Sequence, residues 1–222
     1  MGHTVDAKFL AGENNLDTQM NGKAKRADAT RMALIHAAER LIAKKGLADV
    51  STREILQEAG QRNQSALQYH FGSKNGLISA TINERTTQID QKRQAMLTEF
   101  GDTPTLRQIF EALIIPLGEL LINPPAGSNY LNFLSQAITQ PNWELRKVIE
   151  DFNVVGMMKA YELFDKELAH MPEKERLMRQ YVIFDFTILT LNRWCLEKEP
   201  KRSLDEVFEF TIEGSIALAG LK

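Results

Sequence analysis

An all-helical chain in two parts is what this sequence predicts, and three observations predict it. Apolar residues recur at three- and four-residue spacing from Thr30 nearly to the end, the period of one helix face. Small polar residues open these segments, and glycine or proline closes them, as helix starts and stops require. No alternation of apolar and polar residues marks a strand, and no internal repeat or low-complexity tract interrupts the pattern. The 222 residues are 43% hydrophobic and 25% charged, enough for a sizeable core in one large domain or two modest ones.

Residues 1–22 are polar and aperiodic, and the expectation is a mobile tail. The basic stretch Lys23-Ala-Lys-Arg26 follows, as a solvated lead-in or an arm that touches phosphates. The first helix starts near Thr30, with Leu34, Ala38, Leu41 and Ile42 on one face. It ends at Gly46 behind Lys44 and Lys45, cations suited to a helix C-terminus. Ser51-Thr-Arg-Glu54 has the form of a capping box and opens a short helix with Ile55 and Ala59 inward and Gly60 at its end. A third helix spans Gln64 to His70, with Leu67 and Phe71 inward. After the break at Phe71-Gly72-Ser73, Ser73 caps a fourth helix running from Lys74 towards Leu97. That helix is polar after Ile82, the mark of an element that bridges two regions or is half covered.

Gly101-Asp-Thr-Pro104 breaks to the second region. Helices are expected there at roughly 104–122, 128–139, 142–170, 173–197 and 203–219, punctuated by Pro124, Pro125, Pro141, Pro172 and Pro200. Pro116 falls inside an apolar pattern and should kink it. The expected division is a tail over 1–22, a first domain over 23–80 and a second over 81–222.

Several classes of function are disfavoured. One cysteine, Cys195, gives neither a disulfide framework nor a cysteine zinc site. No apolar run approaches the ~18 residues of a membrane span, and no secretory leader is recognisable. The expectation is therefore a cytoplasmic protein without a membrane partner. His3, His36, His70 and His170 form no His-Glu-x-x-His pair. There is no Gly-x-Ser-x-Gly elbow or phosphate-cradling loop, so no catalytic residue, metal or cofactor is assigned and an enzyme is not expected.

Charge points elsewhere. Lys23 to Glu99 holds 13 Lys and Arg against 8 Asp and Glu, and the remainder 14 against 21. A basic first third on an acidic body suits an anionic partner for that third. Two short helices joined by a tight glycine-containing turn, behind a longer helix, form the pattern of a helix-turn-helix unit. In such a unit one helix enters the DNA major groove while the other braces it across the phosphates. The candidate reading helix carries Gln64, Ser65, Gln68, Tyr69 and His70 outward. Arg53 lies in the first turn of the bracing helix, and Arg62 and Asn63 lie in the turn. Lys74 opens the fourth helix, where a cation opposes the helix dipole. A nearby phosphate would explain it.

These residues resemble the tetracycline-repressor (TetR) type of transcriptional regulator. The resemblance rests on Leu34-Ile-His-Ala-Ala-Glu-Arg-Leu-Ile-Ala-Lys-Lys-Gly46, Ser51-Thr-Arg-Glu-Ile55, Ala59-Gly60, Ser65-Ala-Leu-Gln-Tyr-His-Phe-Gly-Ser-Lys74 and Leu77. The interval from Gly60 to Leu67 is one residue longer than the family's usual spacing, and Gln68 stands where the family often has Tyr. The resemblance implies a three-helix DNA-binding domain followed by a helical ligand-binding and dimerisation domain. It implies a homodimer on a near-palindromic duplex operator, with reading helices ~34–36 Å apart or a multiple of this. It also implies a small-molecule effector that displaces the fourth helix. A repressor is the expected role, and a helical ligand-binding or adaptor protein without specific DNA binding is the alternative.

The second region is rich in aromatics and methionine. The plain reading is helical core, and the sharper one is an adaptable apolar pocket. The candidate lining is Phe110, Ile114, Tyr130, Phe133, Phe152, Met157, Tyr161, Phe184 and Asp185, for a hydrophobic ligand. Asp185 lies in a helix that is apolar nearly all round and is expected to pair with a basic neighbour in preference to a ligand. The last helix, with Phe208, Ile212, Ser215, Ile216 and Ala219 on one face, suits a dimeric four-helix bundle. Cys195 reads as a small buried filler.

Overall fold

Helical periodicity without strand signals gives helices throughout. The computed structural model describes residues 7–122, 126–138, 152 and 154–220, with side chains from residue 24 onward and at Gly22, except at 126. Among the described residues there is no strand. The elements are α1 (Ala7–Lys45), α2 (Thr52–Glu58), α3 (Ala66–Phe71), α4 (Lys74–Phe100), α5 (Leu106–Gly118), a 3-10 turn (Glu119–Ile122), α6 (Ala126–Ile138), α7 (Val155–Glu167), α8 (Glu173–Cys195) and α9 (Leu204–Ala219).

Most boundaries follow from local chemistry. Ser51 and Glu54 form a reciprocal capping box at α2, and Thr105 with Gln108 and Ser203 with Glu206 do the same at α5 and α9. Each box satisfies two backbone amides that a helix start leaves orphaned. α1 corrects the expected start near Thr30. Helix begins at Ala7, inside the segment expected to be a tail. That segment is free of proline and supplies Ala, Leu, Glu, Gln and Met, which propagate a helix without an apolar stripe. α3 begins at Ala66 instead of Gln64, because the Asn63 carboxamide oxygen accepts the Ser65 N–H at 2.9 Å and shapes a turn ahead of it. α5 passes Pro116 by two residues and then tightens into the 3-10 turn. Of the helix expected over 142–170, the described part is Val155–Glu167.

Two clusters of buried side chains organise the molecule. One gathers Leu34, Ile35, Ala38 and Ile42 of α1, Ile55 of α2, Leu67 of α3 and Ile82 of α4. It continues without a break into Tyr130, Phe133 and Leu134 of α6 and Ile188 and Leu191 of α8. The two expected domains therefore share a core. The other lies at the far end, among Leu97 of α4, Ile109, Phe110 and Ile114 of α5, Phe164 of α7, Ile183 of α8 and Ile212 of α9. α4 runs through both.

Candidate nucleic-acid interface and internal cavity

The helix-turn-helix is built on short-range necessities. α2 ends at Gly60, whose φ of +66° lies in the left-handed region, where a side chain would be strained. Ala66 and Leu67 bury the inner face of α3. Between α3 and α4 the chain turns so sharply that a Cβ on Gly76 would lie 2.0 Å from the Phe71 carbonyl oxygen. Only glycine fits there, so the junction is fixed by the sequence.

The outward side of this unit is polar and exposed. Tyr69 is 79% exposed, and its ring meets His70 edge-on at 4.9 Å. Arg53, Arg62, Gln64, Ser65 and Gln68 are exposed. None of their side chains has an ion-pair or hydrogen-bond partner among the described residues. The charged residues behind them are used up: Lys45 pairs with Glu54 at 2.7 Å and Arg40 with Glu58 at 3.2 Å. Arg53 is thereby denied both glutamates that might have held it on the surface.

Lys74 behaves differently from its neighbours. Its ammonium donates to the carbonyl oxygens of Leu47 at 2.8 Å and Val50 at 2.5 Å. These contacts resolve the cation at a helix N-terminus without a phosphate, because the turn after α1 supplies the negative dipoles. One N–H remains for an outside acceptor. The same turn is held from the other side. Gln136 of α6 accepts the Leu47 N–H at 3.0 Å and donates to the Ile42 carbonyl, while Asn132 donates to the Ala43 carbonyl at 2.7 Å. Side chains of α4 and α6 thus satisfy orphan groups at the end of α1.

Behind the reading unit, at the junction of the two clusters, lies a cavity of about 40 Å3 lined from α4, α5, α7 and α8. Phe110, Ile114, Met157, Tyr161 and Phe184 stand in its wall as expected candidates, joined by Leu113, Leu117, Phe164 and Ile183. Its polar members, Arg93, Gln180 and Thr187, were not legible in the sequence. Tyr130 and Phe133 are not part of this wall. They are fully buried in the first cluster and stack on each other at 6.2 Å, and Phe152 packs against that cluster too. Asp185 corrects the expectation more sharply. It lies on the exposed face of α8, with no ion pair among the described residues, and partial burial raises its carboxyl above the usual range. Cys195 is half-buried, and burial pushes its thiol up to about 11, which leaves it protonated and unreactive.

α4 ties the reading unit to the cavity through its polar residues. Arg85 clamps the buried Glu39 of α1 through Nε and Nη2, both at 3.0 Å. Five residues on, the buried Asp90 carboxylate accepts the N–H groups of Gly156 at 2.8 Å and Met157 at 2.7 Å. These are orphan donors in the first turn of α7, so the carboxylate caps that helix and meets the positive end of its dipole. A Cβ on Gly156 would come within 3.0 Å of Arg93 Cβ and the Asp90 carbonyl, which is why α7 can approach so closely. Arg93 follows one turn later, in the cavity wall.

Residues 34–81 match the model of the tetR family of bacterial regulatory proteins. The chain carries the TetR-family DNA-binding domain. The matched segment spans the end of α1, all of α2 and α3 and the first turns of α4, so it is the reading unit described above. The whole fold also has TetR-family counterparts. A protein of Shewanella sp. PV-4 assigned to that family is 21% identical, with 86% of this chain and 95% of that one covered and a TM-score of 0.60. NalD of Pseudomonas aeruginosa, the secondary repressor of the MexAB-OprM multidrug efflux pump, is 20% identical over 86% and 96% of the two chains, with a TM-score of 0.57. RolR in complex with resorcinol is 15% identical over 90% and 91%, with a TM-score of 0.54. No curated protein sequence matches the chain. The fold is that of TetR-family transcriptional regulators, and its first part is a TetR-type helix-turn-helix unit of the DNA-binding kind. Among its described residues no helix is long and apolar enough to cross a membrane, and no group of His, Cys, Asp and Glu is placed to hold a metal ion.

Proposed function

We propose that this regulator is a repressor that binds a near-palindromic operator as a homodimer and is released by a small ligand entering the cavity between α4, α5, α7 and α8. The carrying observation is the contrast at the reading unit. Its outward polar side chains lack protein partners, while the charges around them are paired. Arg53, Arg62, Asn63, Gln64, Ser65, Gln68, Tyr69 and His70 supply the DNA contacts, with Lys74 chiefly bracing the turn. Residues 23–80 act as the reading domain and 81–222 as the ligand-binding and dimerisation domain, coupled through α4. Dimerisation is supported by α8 and α9, where Met178, Tyr181, Val182, Leu189 and Phe210 are exposed in a cluster larger than scattered surface hydrophobics. A cavity with apolar walls beside α4, at the junction of the two clusters, supports an effector, and binding of resorcinol by RolR is consistent with a small molecule in this fold. A ligand shifts the equilibrium only by favouring one spacing of the reading heads over the other.

Selection of bound duplexes from random DNA at near-physiological salt tests the proposal. The expected result is a near-palindromic consensus with half-sites one helical turn or a multiple apart, and an affinity that falls steeply with salt. Recovery of no consensus would overturn specific operator binding and favour a helical ligand-binding or adaptor role.

A further inference from the structure

The cavity contains one residue that its apolar walls do not explain. Arg93 is only 6% exposed. A guanidinium carries five N–H donors and does not deprotonate in proteins. Among the described residues its hydrogen bonding consists of one contact, Nη2 to the Leu113 carbonyl at 3.2 Å. Its Nε is buried with no partner. The Asp90 carboxylate, one turn back on α4, attracts Arg93 across space, but its oxygens are hydrogen-bonded to Gly156, Met157 and Gln94 and form no ion pair with Arg93. Elsewhere on the same helix Arg85 shows what a satisfied guanidinium looks like, forked on a carboxylate through Nε and Nη2.

A buried guanidinium with no anion hydrogen-bonded to it is left short of partners, because the attraction of Asp90 across space satisfies none of its N–H groups. Proteins accept such a shortfall where a ligand completes the pair. We propose that the effector is an amphipathic carboxylate, its head received by Arg93 and its apolar body held between Phe110, Ile114, Met157, Phe164 and Phe184. This rests on reading the cavity as the effector site and adds the chemical class. A carboxylate matches the planar fork of arginine, and Gln180 and Thr187 in the same wall offer further polar contacts. At about 40 Å3 the cavity has room for only a few waters, so an organic acid must push α5, α7 and α8 away from α4. Arg93 sits on the helix that carries Arg85, so the anion acts on the element gripping the reading unit through Glu39.

The full-length protein is titrated calorimetrically with 4-phenylbutanoate and decanoate and with the primary amide of each, which keeps the shape and removes the charge. The expected result is that at least one acid binds tenfold or more tighter than its amide. Ile114→Trp, which fills the cavity, should abolish binding of both. Arg93→Met should erase the preference for acid and raise the Tm of the unliganded protein, by roughly 2–4 °C, because a buried guanidinium with unsatisfied N–H groups is removed. Arg93→Lys, which keeps the charge but not the fork, should retain a reduced preference. If amides bind as well as acids, the anionic head is wrong while the cavity stands as a ligand site. If neither class binds at millimolar concentration, the cavity reading falls with it. A lower Tm in unliganded Arg93→Met together with an undiminished preference for acid would make Arg93 a structural residue and overturn the proposal.

Discussion

Two residues five places apart, Tyr69 in α3 and Lys74 at the start of α4, illustrate how far chemistry can be read from single positions. Tyr69 was legible as an outward residue because it flanks an inward leucine, and its exposed ring has nothing to hold inside the protein. Lys74 was legible as anomalous, a cation at a helix start, but the phosphate expected to explain it is replaced by two backbone carbonyls 24 and 27 residues upstream. No sequence pattern points across that interval. The two residues should separate experimentally. Tyr69→Ala should weaken binding to the selected operator by roughly tenfold or more and leave thermal stability unchanged. Lys74→Met should weaken binding too, but with a loss of about 2 kcal/mol in denaturant unfolding, since two charge-assisted hydrogen bonds vanish. Equal stability of the two variants would return Lys74 to the DNA surface.

Helix ends were read more reliably than helix faces, and the reason is range. The α2 capping box is a four-residue pattern whose chemistry is local, and it forms as expected. Its Glu54 carboxyl is held at about 2 against an ordinary 4.5, chiefly by the Lys45 ammonium and then by the Ser51 amide and hydroxyl. A carboxyl lowered on folding adds stability above its ordinary pKa and loses it as pH falls through the folded value. Acidification from about pH 4.5 towards 2 should therefore destabilise the protein, and Lys45→Met should flatten that part of the Tm-against-pH curve. An unchanged slope would show that the pair carries no weight in solution. Faces are harder. α4 looked half covered because it is polar after Ile82, yet Thr86, Asp90 and Arg93 are buried. What makes this possible is pairing with distant elements: Arg85 to Glu39 of α1, Asp90 to the start of α7. Arg93 had no local signature at all, and only its burial with an unpartnered Nε singles it out.

Across the whole molecule, a sequence that divides near residue 80 folds around a core that does not. Leu34 and Phe133 belong to one buried cluster, and side chains of α6 cap the end of α1. A reading unit joined so tightly to its scaffold cannot swing freely, so in the proposed homodimer its position on DNA follows from how the two scaffolds meet. The exposed apolar residues of α8 and α9 are the surface proposed for that meeting, and Asp185 stands among them, one turn from Val182 and from Leu189. A second carboxylate here cannot be paired by the first, and the apolar contact is lost with it. Leu189→Asp should therefore give a folded monomer by sedimentation velocity, with unchanged far-ultraviolet circular dichroism. Because two linked half-site contacts become one, affinity for the full operator should fall by about a hundredfold or more, while affinity for an isolated half-site stays as it was. A variant that remains dimeric, or a monomer that holds the full operator undiminished, would place the interface on another face and release the spacing of the reading helices from α8 and α9.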